Sequence, residues 1–231
     1  MDDDLYQLDI LEKDYLPILQ EKCNLLLKML TGRKILEIGC GTGNLINLLS
    51  SKKFEFTGSD YSNDYLIYAK QKNPHIDFFQ GDLTEPKSWK QYKNLFDSVI
   101  CSEVLEHIED DLTALKIAYS ILKPDGTLII TVPAMNFLYS EFDKKIGHYR
   151  RYSKKSILKV VNEAGFVIKK ARYWNFLGMF GWFFLFRLLK QDIKKTSNPM
   201  LGTILGNWLK IESKITFPIG QTIIIHAKKQ K

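Results

Sequence analysis

The chain has 231 residues, 45% of them hydrophobic, enough for one large α/β domain with an addition, or at most two small domains. Lys and Arg exceed Asp and Glu by seven, so a basic face or an anionic partner is expected. Cys23, Cys40 and Cys101 are odd in number and far apart, which excludes a disulfide framework and a cysteine-based zinc site. No apolar run reaches bilayer length, and Met-Asp-Asp-Asp is the reverse of a basic leader, so a cytoplasmic location is expected.

The first predicted element is a helix from Ile18 to Leu30. Its residues Leu19, Cys23, Leu26, Leu27 and Leu30 keep helical spacing before Thr31-Gly32 ends it, making residues 1–32 an N-terminal helical segment. Ile35, Leu36 and Ile38 then form a short strand of the kind buried on both faces. It breaks into Gly39, Gly41 and Gly43. A helix follows, with Leu45, Ile46, Leu48 and Leu49 on one face and Asn44 as its candidate cap. Strand, glycine turn and helix in that order bring a ligand close to bare backbone and to unpaired N–H groups. The dinucleotide pattern G-x-G-x-x-G would need a glycine where Asn44 stands. Glu37, two residues before Gly39, suits a cationic ligand better than a phosphate.

A second strand, Phe54 to Ser59, ends at Asp60. That acid lies 17 residues past Gly43, close to where nucleotide-binding α/β folds place a carboxylate on ribose hydroxyls. The other reading of Asp60 is a cap for the helix starting near Asn63. Ile76 to Phe79 leads into Gly81-Asp82-Leu83, where Asp82 is either a turn residue or a third acid at a strand end. Phe96 to Ser102 is the fourth strand, followed by Glu103-Val-Leu-Glu-His-Ile108 and a helix opened by Asp110 and Asp111. Lys123-Pro-Asp-Gly126 reads as a type I turn into the apolar fifth strand, Thr127 to Val132. Ser153 and Gly165 bound another helix, a sixth strand begins at Phe166, and Thr222 to Ala227 makes the seventh.

An acid followed by three glycines in alternate positions, the Leu105-Glu-His-Ile108 run and Lys123-Pro-Asp-Gly126 before the fifth strand together resemble the class I S-adenosylmethionine-dependent methyltransferases. The likeness covers residues 33 to about 172 and returns at the last strand. It implies a Rossmann-like open α/β sheet of seven strands, mostly parallel with an antiparallel last strand, and helices on both faces. The implied cofactor is S-adenosylmethionine. Glu37 would balance its amino group, with the backbone of Gly39, Cys40, Gly41 and Gly43 alongside. Asp60 would hold the ribose, Asp82 the adenine amino group with Gly81 and Leu83 adjoining, and Tyr61 and Ser102 would flank the site.

Two stretches lie outside that machinery. The first, Tyr139 to Ser153, belongs on the face where ligands of open α/β sheets sit, and its Gly147-His-Tyr-Arg-Arg-Tyr-Ser153 segment is similar to one in a bacterial subgroup of these enzymes, some associated with glycan or lipid-linked sugar pathways. Tyr139, Arg150, Arg151 and Tyr152 are its candidate substrate contacts; the bland alternative is a solvated charge pair with packing tyrosines. His148, His107 and Glu103 are the candidate catalytic groups, each histidine reading equally as a core or surface hydrogen-bonding residue. No metal site is expected.

The second stretch is a 46-residue insert from Asn175 to Gly220. Phe176 to Phe186 carries no charge, Arg187, Lys190, Lys194 and Lys195 follow, and Met200 to Leu209 is apolar again. Neither segment is long enough to span a bilayer. The insert either lies at a membrane surface and brings in a lipid-linked acceptor, or forms its own core or a homodimer contact. The expected function is methyl transfer to an oxygen or nitrogen of a small or lipid- or glycan-linked acceptor, with nucleic acid not expected as a partner. Its rivals are a soluble small-molecule methyltransferase with the insert as dimer interface, a nicotinamide dehydrogenase, and a cofactor-free adaptor at a membrane surface or nucleic acid. Asn44 and Asp82 argue against the dehydrogenase, and the adaptor leaves the glycines and acids without a purpose.

Overall fold

The computed structural model describes residues 15–50, 53–189 and 199–230. The acidic opening residues and Lys190, Lys194, Lys195 and Lys231 lie outside the described residues. The strands are β1 (Lys34–Ile38), β2 (Glu55–Asp60), β3 (Asp77–Gln80), β4 (Phe96–Ser102), β5 (Leu122–Pro133), β6 (Phe166–Trp174) and β7 (Thr222–Lys229). They form a sheet of order β3-β2-β1-β4-β5-β7-β6. β7 runs antiparallel to both neighbours, β5 and β6, while the other pairs are parallel. The chain leaves β3 at one edge and re-enters as β4 beside β1. That reversal opens a crevice at the carboxyl ends of β1 and β4.

Helices cover both faces because each central strand is apolar on both. Ile35, Ile100, Ile129 and Ile224 face α1 (Leu16–Leu27) and α2 (Asn44–Leu49). Leu36, Val99, Leu128 and Ile225 face α4 (Asp111–Ile121) and α6 (Lys154–Glu163). Each such fully buried side chain contributes about 1.5–3 kcal/mol. α3 (Asn63–Lys72) closes the edge beside β2 and β3, capped by Ser62, whose Oγ accepts from Tyr65 N.

Two local expectations need correction. Gly43, in the left-handed region, occupies the cap position of α2, and Asn44 is already helical, its amide bonded to Thr42 Oγ1. The Lys123–Gly126 turn is not type I either. Asp125 at its third position has φ 60°, which a type II turn requires and a type I turn forbids.

The insert holds α7 (Phe176–Trp182), which passes directly into a π-helical turn, Phe183–Leu188, and then α8 (Pro199–Glu212). α8 packs on α1, so closely that a Cβ on Gly206 would lie 2.5 Å from Pro17 Cβ. No described helix is long and apolar enough to cross a membrane.

Candidate active site

At the carboxyl end of β1, buried Glu37 stands in register with Gly58 of β2 and Ile100 of β4. The chain then takes left-handed φ values of 68°, 51° and 76° at Gly39, Gly41 and Gly43, where other residues are strained. The three glycines serve different ends. A Cβ on Gly39 would fall 2.3 Å from Val104 Cγ2, and one on Gly43 2.9 Å from Asn73 Nδ2, whereas one on Gly41 meets nothing within 4 Å. Gly39 and Gly43 are bare because the protein packs on them. Gly41 is bare toward open space.

Asp60 holds this turn: its Oδ2 accepts from Gly41 N at 2.8 Å and its Oδ1 from Ser62 N at 2.9 Å. Capping of α3, the other role considered for it, falls to Ser62. Cys40 is buried, its N donates to Ser59 O at 3.0 Å and its carbonyl accepts from Gly43 N at 2.9 Å, and burial, reinforced by Glu37, pushes its thiol up. Tyr61 is 72% exposed and its carbonyl accepts from Gln80 Nε2. Gly81 N donates to Asp60 O, which fixes the third strand end against the second. Asp82 is half-buried and accepts Thr84 N and Oγ1 on Oδ1, both at 2.7 Å. Leu83 packs in the core with Trp89, and Ser102 Oγ pairs with Thr131 Oγ1 at 2.9 Å.

Beyond the crevice, the ends of β4, β5 and β6 each carry a non-glycine residue in the left-handed region: Glu103 at 56°, Met135 at 64° and Asn175 at 61°. Strain of this kind is held where the surroundings over-determine it. Around Glu103, Lys22 of α1 donates to Oε1 at 3.2 Å and Thr131 Oγ1 to the same oxygen at 2.9 Å. Burial would raise this carboxyl, but Lys22 and the Thr131 hydroxyl hold it below the usual range.

The Tyr139–Ser153 loop is laced onto the Leu105–His107 turn that follows β4. Tyr149 N donates to Glu106 O at 2.8 Å, and Tyr139 Oη to His148 O at 2.7 Å. Ser140 and Asp143 form a capping box on α5 (Glu141–Lys145), and Gly147 at φ 84° turns the chain back so that His148 Nδ1 lies 3.0 Å from Asp143 Oδ1. Asp143 is buried and also accepts Ser140 N and Oγ and Arg151 Nε and Nη2, the last two at 2.9 and 2.8 Å. Burial opposes its charge, yet the bonds from His148, Arg151 and Ser140 hold its carboxyl down at about 2. The imidazoles of His107 and His148 meet edge-on, 4.6 Å between centroids, and burial followed by the His148 charge lowers His107.

Arg150, Arg151 and Tyr152 were read as substrate contacts; the structure buries Arg151 and Tyr152 and leaves Arg150 partly exposed. Arg151 is buried, bonded to Asp143 and Ala134 O, and its guanidinium lies 4.5 Å over the Trp182 ring. Arg150 holds Asp111 and Glu109 O, and Tyr152 Oη donates to Leu105 O and Asp111 Oδ2. All three brace the loop that carries His148.

Glu106, Asp143 and Lys22 were missed. Glu106 is fully buried, and neither of its carboxyl oxygens has a hydrogen-bond partner among the described residues. Burial first, then the Glu103 charge, push it well above the usual range. Its Oε1 lies 3.9 Å from His148 Nε2. Although no metal was expected, Glu106, His107 and His148 each offer a ligand atom, all within 4.8 Å of one another. The only early signal was the Glu-His pair inside Leu105–Ile108.

A family described as "Methyltransferase domain" matches residues 13–171, well over half of the chain. The chain belongs to this methyltransferase family. Among curated relatives, this methyltransferase chain is 32% identical over 108 residues to a ubiquinone biosynthesis O-methyltransferase of Histophilus somni, covering 44% of the chain and 45% of that protein. It spans about half the length of the curated relatives it matches. Its fold is similar to that of a SAM dependent methyltransferase from Archaeoglobus fulgidus, with TM-score 0.63, 19% identity and 92% and 93% of the two chains covered. The fold is shared equally with the cyclase SpnF, at TM-score 0.61, 18% identity and coverage of 91% and 81%. Architecture of this kind hosts more than one chemistry, so the reaction has to be argued from the site.

Proposed function

We propose that this methyltransferase transfers the methyl group of S-adenosylmethionine to a hydroxyl oxygen of a small acceptor with an apolar part, and that His148 takes the hydroxyl proton. The residues present fit the donor. Gly41 presents bare backbone to open space, and Glu37, Asp60 and Asp82 place a carboxylate at or just past each of three successive strand ends. Glu37 would hold the ammonium, Asp60 the ribose hydroxyls and Asp82 the adenine amino group. When bound, the donor supplies an electrophilic methyl on a sulfonium, so the chain's own work is alignment and proton handling.

The observation that carries the proton-handling part is the His148–Asp143 pair. With Nδ1–H donated to a carboxylate held ionised, the neutral tautomer leaves Nε2 as the basic atom, a tautomer assigned from the bonding network. Once His148 is protonated, Asp143 stabilises the imidazolium. Arg151 and Ser140 keep Asp143 from turning away. Choice of oxygen over nitrogen follows from the O-methyltransferases among the relatives and from a base suited to a phenolic or similar hydroxyl.

The test uses labelled S-adenosylmethionine and a panel of phenols bearing apolar tails. His148→Ala should lower kcat by about 10²–10⁴-fold while S-adenosylhomocysteine affinity holds. Turnover of that variant at the wild-type rate would show that the proton leaves by another route. A second reading rests on the same cluster: a divalent cation shared by Glu106, His107 and His148 would orient and acidify the hydroxyl. Turnover abolished by chelation and restored by Mg²⁺ or Zn²⁺, at constant S-adenosylhomocysteine affinity, would favour it.

A further inference from the structure

The insert between β6 and β7 is clamped at its base and layered above it. Glu212, fully buried, accepts Phe176 N at 3.1 and 3.0 Å and Trp208 Nε1 at 3.0 Å. Arg172 of β6 donates to the carbonyls of Glu212, Ser213 and Ile215, closing the carboxyl end of α8. The inner layer of α7 and its π-turn lies on the catalytic loop, Trp182 and Phe186 packing at 5.5 and 5.0 Å on Phe142. The described part of the insert is therefore anchored at its base and touches the loop carrying His148.

Its outer layer has no such cover among the described residues. Phe180, Phe184 and Leu188 follow helical spacing and are 52%, 55% and 59% exposed, and on α8 Met200, Ile204 and Ile211 are 69%, 56% and 55% exposed. The π-turn, closed by Leu189 N to Phe184 O, adds Phe183 to the same outward set. Three phenylalanines about half exposed present roughly 300 Å² between them, and the aliphatic residues take the surface past what a monomer usually shows to water. Charge decides among occupants. From Phe176 to Ile211 the sequence holds Arg187, Lys190, Lys194, Lys195 and Lys210 against one acid, Asp192, and the charged residues of that stretch among the described residues, Arg187 and Lys210, are both basic and exposed. Two copies meeting through this face would set like charges against each other, whereas an anionic surface is complementary to it.

We propose that the outer face of α7, its π-turn and α8 docks the protein on an anionic lipid bilayer. The phenylalanines and isoleucines enter the acyl boundary while Arg187 and Lys210 meet headgroup phosphates. This deepens the methyl-transfer reading and rests on it for its purpose: an acceptor with an apolar tail would pass from the bilayer along the insert to the loop on which the inner layer sits.

The full chain is sedimented with vesicles of phosphatidylcholine alone and of phosphatidylcholine with phosphatidylglycerol, without donor or acceptor. Binding to the anionic vesicles should exceed binding to the neutral ones at least tenfold and weaken as salt rises. Phe180→Ser/Phe184→Ser should lose at least tenfold, and Arg187→Glu/Lys210→Glu a similar factor, both keeping wild-type S-adenosylhomocysteine affinity by calorimetry. Absence of wild-type binding to either vesicle overturns the proposal, as does binding unchanged in both double variants. A concentration-dependent dimer that the phenylalanine variant abolishes also overturns it and assigns the face to a second copy. In the wild type, no docking with S-adenosylhomocysteine binding intact refutes the surface alone, and docking without S-adenosylhomocysteine binding refutes the donor site alone.

Discussion

Gly41 and Asp60 are joined by one hydrogen bond, and the two residues separate binding from folding in a way that Gly39 does not. Gly41→Ala has room for its methyl, so its cost to stability should stay near 1–2 kcal/mol from the left-handed backbone, while the methyl intrudes on the donor face. Its S-adenosylhomocysteine affinity should fall more than its stability does. Gly39→Ala strikes Val104 and should lose stability first, as denaturant unfolding of the pair would show. Asp60→Ala should weaken S-adenosylhomocysteine binding by about 1–3 kcal/mol by calorimetry, since it loosens the turn as well as the ribose contact. Tighter binding of NAD than of S-adenosylhomocysteine would remove the donor reading. Asp143 adds a pH signature. Its folded carboxyl titrates at about 2 against an ordinary 3.8, so its contribution is whole above about pH 4 and drains as pH falls toward 2, roughly 2 kcal/mol in all. Urea midpoints of the wild type and Asp143→Asn should converge over that window.

The loop between β5 and α6 is an element made by one buried acid. Removing Arg151 leaves Asp143 with only His148 and Ser140, and loss of one member of a buried pair costs about 3–5 kcal/mol. Arg151→Ala should therefore unfold at markedly lower denaturant, and Arg151→Lys should rescue only part, because an ammonium cannot reproduce the two guanidinium N–H groups that converge on Asp143 Oδ1. This element also marks the limit of what could be read ahead. Strands announce themselves locally: Lys34–Ile38 and Thr127–Val132 are apolar runs bounded by glycine, and acids at strand ends are visible by spacing alone, so the sheet and the placement of Glu37, Asp60 and Asp82 along it were legible. Arg150 and Arg151 were not, since adjacent arginines show charge but not the partner that bends each inward, here Asp111 and Asp143. Glu106 reads as a surface acid until the loop closes over it. The Lys22–Glu103 and Arg172–Glu212 contacts join residues far apart in the chain, and no local pattern encodes them. The π-turn likewise has no breaker in Phe183–Leu188 to announce it, and its Phe186 packs on Phe142 from far earlier in the chain.

At the scale of the molecule, stability should be graded outward from the centre of the sheet. β1, β4, β5 and β7 are buried on both faces, so their amides should be the slowest to exchange in hydrogen-exchange mass spectrometry, with the π-turn and the exposed face of α8 among the fastest. Equal protection of the insert and the central strands would contradict that gradient. The strand order carries a consequence in time. β7 sits between β5 and β6 but is made last of the three, after the insert, and α1 rests on α8, almost the whole chain away. On a ribosome, β5 would therefore wait with a bare edge while roughly ninety residues are added, and α1 would wait longer still with part of its face uncovered, several seconds or more at ordinary elongation rates. During that wait the exposed edge and the freshly made phenylalanines of the insert are displayed together, the combination most prone to pairing with a neighbouring nascent chain. Chains stalled just before residue 222 should be cut readily by protease and held by chaperones, and those released past residue 229 should resist both.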